Sequence, residues 1–298
     1  MGTEGRLRVA IIGTGNIGTD LMFKVERSPL LELAGVAGID PSSAGMALAR
    51  EHGHPVSDTG LAGLLDLVPD IDLAFDATSA GTHAEHARVL AERGIRSVDL
   101  TPAALGPAIV PPVNLAAHPD ATEVNLVTCG AQATVPIVAA VARLAELPYA
   151  ETVSTVASRS AGPGTRNNID EFTTATARSL ERIGGAAKAK AIIILNPAEP
   201  PIQMRNTIYL DVGDRISLEA LTRAVTEAAA GVAAYVPGYR IAAEPQLAGG
   251  IATVMVEVEG AADFLPAFAG NLDIMTSAAV RVAELYAGAE AADPKGRQ

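Results

Sequence analysis

The segment Gly13-Thr14-Gly15-Asn16-Ile17-Gly18 constrains the fold of this chain more than any other feature. It follows the apolar run Arg8–Ile12, which reads as a buried strand, and it opens Asn16–Arg27, which reads as an amphipathic helix. The glycines have separate tasks: Gly13 permits a tight turn, Gly15 lets backbone approach a pyrophosphate, and Gly18 lets helix and strand pack closely. A helix starting there presents free N–H groups and a partial positive charge to an anion. Thr14, Asn16 and Ile17 complete the candidate phosphate loop. Leu31–Ile39 reads as the next strand and ends at Asp40, where a carboxylate takes the ribose hydroxyls of a dinucleotide. An acid there disfavours a 2′-phosphate, so NAD is expected over NADP.

The same alternation continues. Ser43–His52 reads as a helix, Leu73–Ala77 as a strand, Thr82–Glu92 as a helix, and Arg96–Leu100 and Glu123–Thr128 as strands. Serial βα units predict a parallel sheet, hence an α/β chain with a Rossmann dinucleotide-binding domain over residues 1–130. Beyond it, Val135–Leu147 reads as a helix, Thr152–Ser158 as a strand, and Asp170–Ile183 as a helix closed by Gly184-Gly185. Ala191–Leu195, Thr207–Val212 and Thr253–Val258 read as strands and Ser217–Tyr235 as a helix. Strict alternation is lost, which predicts an α+β second domain over 131–273, with a final helix at 274–287 packing back on the first.

Composition removes several classes of function. The chain carries 22 basic and 34 acidic residues, a net charge of −12, which repels nucleic acid and anionic lipid. Aromatic residues are 3% and Trp is absent, so base-stacking platforms are not expected. A single cysteine, Cys129, excludes a disulfide framework and a multi-cysteine zinc site, and no metal is expected. No apolar run reaches about 18 residues and no leader-like segment precedes the first strand, so a cytoplasmic location is expected.

Cys129 ends the strand-like Asn125-Leu126-Val127-Thr128 and precedes Gly130-Ala131-Gln132-Ala133-Thr134, taken as a turn ahead of the next helix. A thiol beside helix N–H groups is expected to have a lowered pKa, and the same N–H groups can hold an oxyanion. A structural buried thiol is the alternative. All five histidines (52, 54, 83, 86 and 118) precede Cys129, so no later histidine can pair with it. His83 and His86 follow the Thr78-Ser79-Ala80-Gly81 turn, where they either reach a cofactor or decorate a helix start. The loop from Ser158 to Asn168 is rich in Gly, hydroxyls and Arg, which suits either a ligand-wrapping loop or a turn N-capped near Asn168. Asn271, ahead of the final helix, reads as an N-cap or a carboxamide partner.

Several segments together resemble the acetylating acetaldehyde dehydrogenases, coenzyme A-dependent partners of 4-hydroxy-2-oxovalerate aldolase in aromatic and steroid catabolism. They are Val9–Asp20, Asp76–Gly81, Asp99–Pro102, Val127–Thr134, Ser160–Phe172, Leu195–Pro201 and Gly270–Ser277. The resemblance implies a Rossmann domain joined to a catalytic and dimerisation domain, and a homodimer formed through the latter. It implies that Cys129 is the nucleophile and that coenzyme A is co-substrate. It implies NAD contacts from Thr14–Ile17, from Ser160, Ala161, Gly162, Pro163, Gly164, Thr165, Arg166, Asn167 and Asn168, and from Asn271. It also implies an aldolase complex in which acetaldehyde passes between active sites.

Two departures stand out. The family has an Asp after its Met-Arg pair, proposed to activate the cysteine, whereas Met204-Arg205 is followed here by Asn206. Asn206 is then expected to orient a water or donate to the oxyanion, because an amide has no useful basicity. Asp211 would point to the opposite strand face. The stretch between Tyr239 and Gly250 is also shorter than the family's loop. The expected reaction turns acetaldehyde or propanal, NAD and coenzyme A into acyl-coenzyme A and NADH through a cysteine thioester. The alternatives are a non-catalytic NAD-binding subunit of an aldolase complex and a semialdehyde dehydrogenase-like oxidoreductase, which the missing late histidine disfavours.

Overall fold

The computed structural model describes residues 5–162, 166 and 168–292. Among them the chain forms two compact units. The first runs to Ile109 and adds Ala116–Leu126 and the residues from Thr276; the second holds Val110–Leu115 and Val127–Met275.

The first unit is built from β1 (Leu7–Ile12), α1 (Asn16–Arg27), β2 (Leu31–Ala37), α2 (Ala44–Glu51), β3 (Val56–Ser57), α3 (Gly60–Leu67), β4 (Leu73–Asp76), α4 (Ala80–Glu92), β5 (Arg96–Asp99) and β6 (Glu123–Asn125). Its six strands are all parallel, in the order β3-β2-β1-β4-β5-β6, the doubly wound arrangement expected from the βα repeat. Helix α1 begins and ends at the expected residues. The β3–α3 segment does not appear in the sequence reading: β3 has two residues, and the Leu-rich Gly60–Leu67 stretch lies between turn residues.

A buried ionic cluster holds the carboxyl edge of this sheet. His83 on α4 is fully buried, with Nδ1 2.9 Å from Asp76 Oδ2 and Nε2 3.1 Å from Glu123 Oε1 and 3.5 Å from Asp99 Oδ2. His86 Nδ1 lies 2.7 Å from the same Asp76 oxygen. Burial alone would lower the His83 pKa, but Asp76, Asp99 and Glu123 outweigh it and raise it to about 9, so the ring is an imidazolium. Asp76 also accepts from Thr78 N (3.0 Å), which holds the turn after β4. His83 is therefore an internal cation of the scaffold, not a decoration of the helix start.

The second unit contains α5 (Pro111–Asn114), α6 (Cys129–Ala142), β7 (Ala150–Ala157), α7 (Ile169–Arg182), β8 (Ala189–Asn196), β9 (Met204–Asp211), α8 (Leu218–Ala233), β10 (Tyr239–Ala248) and β11 (Ile251–Val258). Its sheet is mixed, in the order β10-β11-β9-β7-β8, with only β7 and β8 parallel. Strand burial alternates: Thr152, Ser154, Asn206, Ile208, Val254 and Val256 lie on the buried face, which α6, α7 and α8 cover. The other face exposes Ile194, Tyr209, Ile251 and Met255, each 39–44% accessible.

Two expectations are corrected here. Helix α6 starts at Cys129 rather than Val135. Gly130, Thr134 and the internal Pro136 suggest a turn, but burial of nearly the whole helix overrides these local preferences. The Tyr239–Gly250 stretch is not a loop: it is the edge strand β10 and its hairpin turn into β11. Pro245 hides this strand from periodicity, and an edge position is where a sheet tolerates a proline.

The last helix, α9 (Gly270–Ala292), crosses the division between the units. Within the first unit, Thr276 Oγ1 donates to Asp20 (2.6 Å), Ser28 Oγ donates to Glu284 (2.7 Å), and the Arg96 guanidinium lies 4.5 Å above the Tyr286 ring.

Replacing His83 by Gln removes the cation and leaves Asp76, Asp99 and Glu123 facing one another. We expect a loss of about 3 kcal/mol at pH 6 in urea unfolding, the scale of a broken buried pair. A histidine whose folded pKa is raised from 6.5 to about 9 contributes stability that is complete below 6.5 and lost as pH climbs through 9. The gap between wild type and variant should narrow over that range; a constant gap contradicts the assignment.

Candidate active site

In the first unit, the three glycines of the phosphate loop divide into two kinds. Gly13 has φ +114°, and a Cβ there would lie 2.7 Å from Ala77 O; a Cβ on Gly18 would lie 1.8 Å from Gly13 O. The fold itself demands both. Gly15 has an ordinary φ of −79° and nothing within 4 Å of its Cβ position, so packing does not require it. Open space at an exposed helix N-cap, with no side-chain acceptor for the first turn, suits an approaching pyrophosphate. Thr14 is held by Ser43, whose Oγ donates to Thr14 Oγ1 (2.8 Å). Asn16 is exposed and Ile17 half-buried beside it. Asp40 is exposed, and hydrogen bonds from Ser42 N and Oγ to one carboxylate oxygen hold its pKa below the ordinary value. Its other oxygen is left for a diol. These residues fit NAD.

The nucleophile candidate lies in the second unit. Val127 has φ +61°, a strained conformation for a β-branched residue, and turns the chain into α6. Thr128 caps the helix: its Oγ1 accepts from Ala131 N (3.0 Å) and pairs with Thr176 Oγ1 at 2.7 Å. Thr134 Oγ1 donates to Gly130 O (2.7 Å), and Tyr239 OH donates to Ala133 O (2.7 Å). Cys129 is thus the first residue of a helix anchored on several sides.

Its thiol differs from the expectation. Burial pushes the pKa up to about 12, and the N–H groups of Gly130 and Cys129 itself, which lower it, do not compensate. The resting thiol is neutral. Helix N–H groups act on it, but desolvation is larger.

Asn206 lies on the same buried sheet face, 1% exposed, with Nδ2 and Oδ1 both lacking a hydrogen-bond partner. Ser154 stands directly opposite it in the β7–β9 pairing, fully buried, with its hydroxyl also unpartnered. A Cβ on Gly130 would lie 3.2 Å from Ser154 Oγ, so the missing side chain lets that hydroxyl come close to the residue following the cysteine. Sequence reading overlooked Ser154. A lone serine in a strand carries no signal until register sets it across from Asn206. Asp211 lies on the opposite face from Asn206, ion-paired with Arg215 at 3.9 Å, and so supplies no carboxylate to the Asn206 side of the sheet.

The loop after β7 is partly described. Ser160 is buried and donates to Ala157 O (2.9 Å); Ala161 is buried and Gly162 exposed. Arg166 donates to Ala161 O (2.9 Å) and to Ser158 O and Oγ (2.6 and 2.8 Å), so its guanidinium organises the loop itself. Asn168 is the exposed N-cap of α7. Pro163, Gly164, Thr165 and Asn167 lie outside the described residues. Asn271 is buried in α9, donating from Nδ2 to Ser160 O (3.3 Å) while its Oδ1 has no partner. A buried, unpartnered carbonyl oxygen suits a carboxamide N–H.

Comparison with known proteins follows the same division. Residues 129–266 match the family model described as prokaryotic acetaldehyde dehydrogenase, dimerisation. Residues 8–121 match that described as semialdehyde dehydrogenase, NAD binding domain. An acetaldehyde dehydrogenase of Geobacillus stearothermophilus is 57% identical over 280 residues, covering 94% of this chain and 95% of that protein. The chain belongs to the acetaldehyde dehydrogenase family. Similar relatives named acetaldehyde dehydrogenase come from Chloroflexus aggregans (57% identity; 95% of this chain and 96% of that protein) and Thermomicrobium roseum (55%; 96% of each). In fold, the chain is similar to aspartate semialdehyde dehydrogenase II of Vibrio cholerae, solved with ASA, at TM-score 0.65 and 14% identity. That match covers 97% of this chain and 99% of that one. No helix among the described residues is long and apolar enough to cross a membrane.

Because the resting thiol is neutral, alkylation of Cys129 by iodoacetamide in the free protein should be slow at pH 7.5 and still rising at pH 10. A plateau below pH 8 contradicts burial as the dominant influence.

Proposed function

We propose that the chain is an NAD-dependent, coenzyme A-acylating aldehyde dehydrogenase acting on acetaldehyde or propanal, with Cys129 as nucleophile. One observation supports this reading: a strained turn and a capped helix head carry the chain's one cysteine, and the next residue, Gly130, lies close to the unpartnered Ser154 hydroxyl, which stands opposite the unpartnered Asn206 amide.

The Cys129 sulfur attacks the aldehyde carbon, and the thiol proton ends on the carbonyl oxygen or in solvent, giving a thiohemiacetal. As charge develops on that oxygen, the Gly130 and Cys129 N–H groups, the Asn206 amide and the Ser154 hydroxyl supply donors. Gly13–Gly18 and Asp40 would hold NAD, whose nicotinamide would supply the hydride acceptor, and the thiohemiacetal hydroxyl proton would leave to solvent as the thioester forms. The coenzyme A thiol then takes the acyl group and Cys129 recovers its proton. Thiol-to-thiol exchange needs a weaker base than hydrolysis, which accounts for a neutral amide at position 206.

The apolar outer face of the second unit's sheet, around Tyr209, Ile251 and Met255, is the seat we assign to a second copy of the chain. The dimerisation family model spans these residues. The segment resemblance supports a complex with 4-hydroxy-2-oxovalerate aldolase as acetaldehyde donor. The reading puts this activity in the cytoplasm, where NAD and coenzyme A are at hand.

NADH formation by the purified chain with NAD and acetaldehyde or propanal should need coenzyme A for continued turnover, and Cys129→Ser should abolish it while NAD still binds. Turnover retained in that variant overturns the reading. A chain that binds NAD but never forms NADH points instead to the non-catalytic subunit. Ser154→Ala should lower turnover by about tenfold or more and leave iodoacetamide reactivity of Cys129 unchanged, since an oxyanion donor acts after attack. Equal losses in both would make Ser154 a support of the thiol instead.

A further inference from the structure

Glu26, His52 and His54 converge on the first unit, near the end of α1 opposite the phosphate loop. The ten residues of helix between Asn16 and Glu26 correspond to about 15 Å. The proposed reaction uses none of the three.

Their geometry comes from the backbone. His52 follows α2, and Gly53, at φ +82°, turns the chain so that the His54 ring returns beside it, with centroids 6.4 Å apart and planes at 29°. Three hydrogen bonds fix this turn: His52 N to Leu48 O (2.9 Å), Gly53 N to Arg50 O (3.0 Å) and His54 N to Ala49 O (3.0 Å). Phe23 packs edge-on against His52 at 5.3 Å. His52 Nδ1 and His54 Nε2 then lie 2.9 and 2.6 Å from one oxygen, Glu26 Oε1. The side chains are 30%, 18% and 27% exposed (His52, His54, Glu26), so an ion can reach them from solvent.

Two imidazole nitrogens and one carboxylate oxygen are donors for zinc and its neighbours rather than for magnesium or calcium, which take oxygen. A tetrahedral zinc site with bonds of about 2.0–2.2 Å separates its ligand atoms by roughly 3.3 Å. The His52–Glu26 and His54–Glu26 separations need open by about 0.4 and 0.7 Å to admit the ion. A second cluster, His83 with Asp99 and Glu123, does not offer this. Its ring carries a proton on both nitrogens and has no lone pair for a metal.

We propose that Glu26, His52 and His54 form a zinc-class metal site that clamps the end of α1 to the turn after α2. The opposite ends of these helices are already joined where Ser43, the cap of α2, donates to Thr14. The ion would join the far ends in the same way and leave a fourth coordination position for water. The cysteine count excludes only a cysteine-built site.

The test is calorimetric titration of the full chain with zinc chloride, repeated on Glu26→Gln, His54→Gln and Cys129→Ser, the last removing the one thiol. We expect a Kd tighter than about 100 µM in wild type and Cys129→Ser, weakened at least about tenfold by Glu26→Gln and by His54→Gln. Circular dichroism confirms that each variant is folded. A wild-type Kd weaker than that, unchanged affinity in both variants, or loss of binding in Cys129→Ser overturns the proposal. None of these readouts depends on catalytic turnover.

Discussion

The chemistry proposed for this chain depends on the surroundings of the half-buried Cys129 thiol. The head of α6 turns two backbone N–H groups toward the sulfur of this half-buried residue, and the protein packed around it weakens the solvation a thiolate would have. Desolvation is the larger effect, so the thiol stays neutral and its reactivity is withheld until something else enters the site. Holding a helix head in such a place has a structural cost, seen in the left-handed backbone of Val127. The Thr128 cap, the Thr176 hydroxyl and the Tyr239 bond to Ala133 O keep that turn in place.

The same burial gives Asn206 and Ser154 their meaning. Buried polar groups in a native protein are nearly all paired, and these two are not. They occupy the helix-covered side of a sheet whose opposite side is exposed and mixes apolar residues such as Tyr209 and Met255 with ion pairs such as Arg205–Glu257. One strand, β9, therefore serves both purposes by alternation: Asn206 and Ile208 inward, Tyr209 outward. With an amide at position 206, the proposed site offers donors instead of a base. That restricts it to a reaction whose acyl acceptor ionises readily on its own, as a thiol does.

Much of this was legible in the sequence wherever a local rule and the tertiary fold agree. The glycine loop, the bounds of α1 and the doubly wound sheet follow from spacing and periodicity, because each βα unit is a nearly self-contained pattern. What was hidden depends on contacts distant in sequence. Helix α6 carries Gly130 and Pro136 and forms because its surroundings bury it. Strand β10 contains Pro245 and exists as a sheet edge. The His83 cation needs Asp76, Asp99 and Glu123 brought together from three strands. Ser154 becomes a site residue only through its register with Asn206, and no spacing rule links positions on β7 and β9.

The central claim is that Cys129 carries the acyl group between aldehyde and acceptor. Peptide mass spectrometry of the chain incubated with NAD and acetaldehyde, without coenzyme A, tests it directly. The account predicts an acetyl group on the peptide bearing Cys129, removed when coenzyme A is added. An unmodified Cys129 in a sample that has formed NADH, or an acetyl group on another residue that coenzyme A discharges, would contradict it.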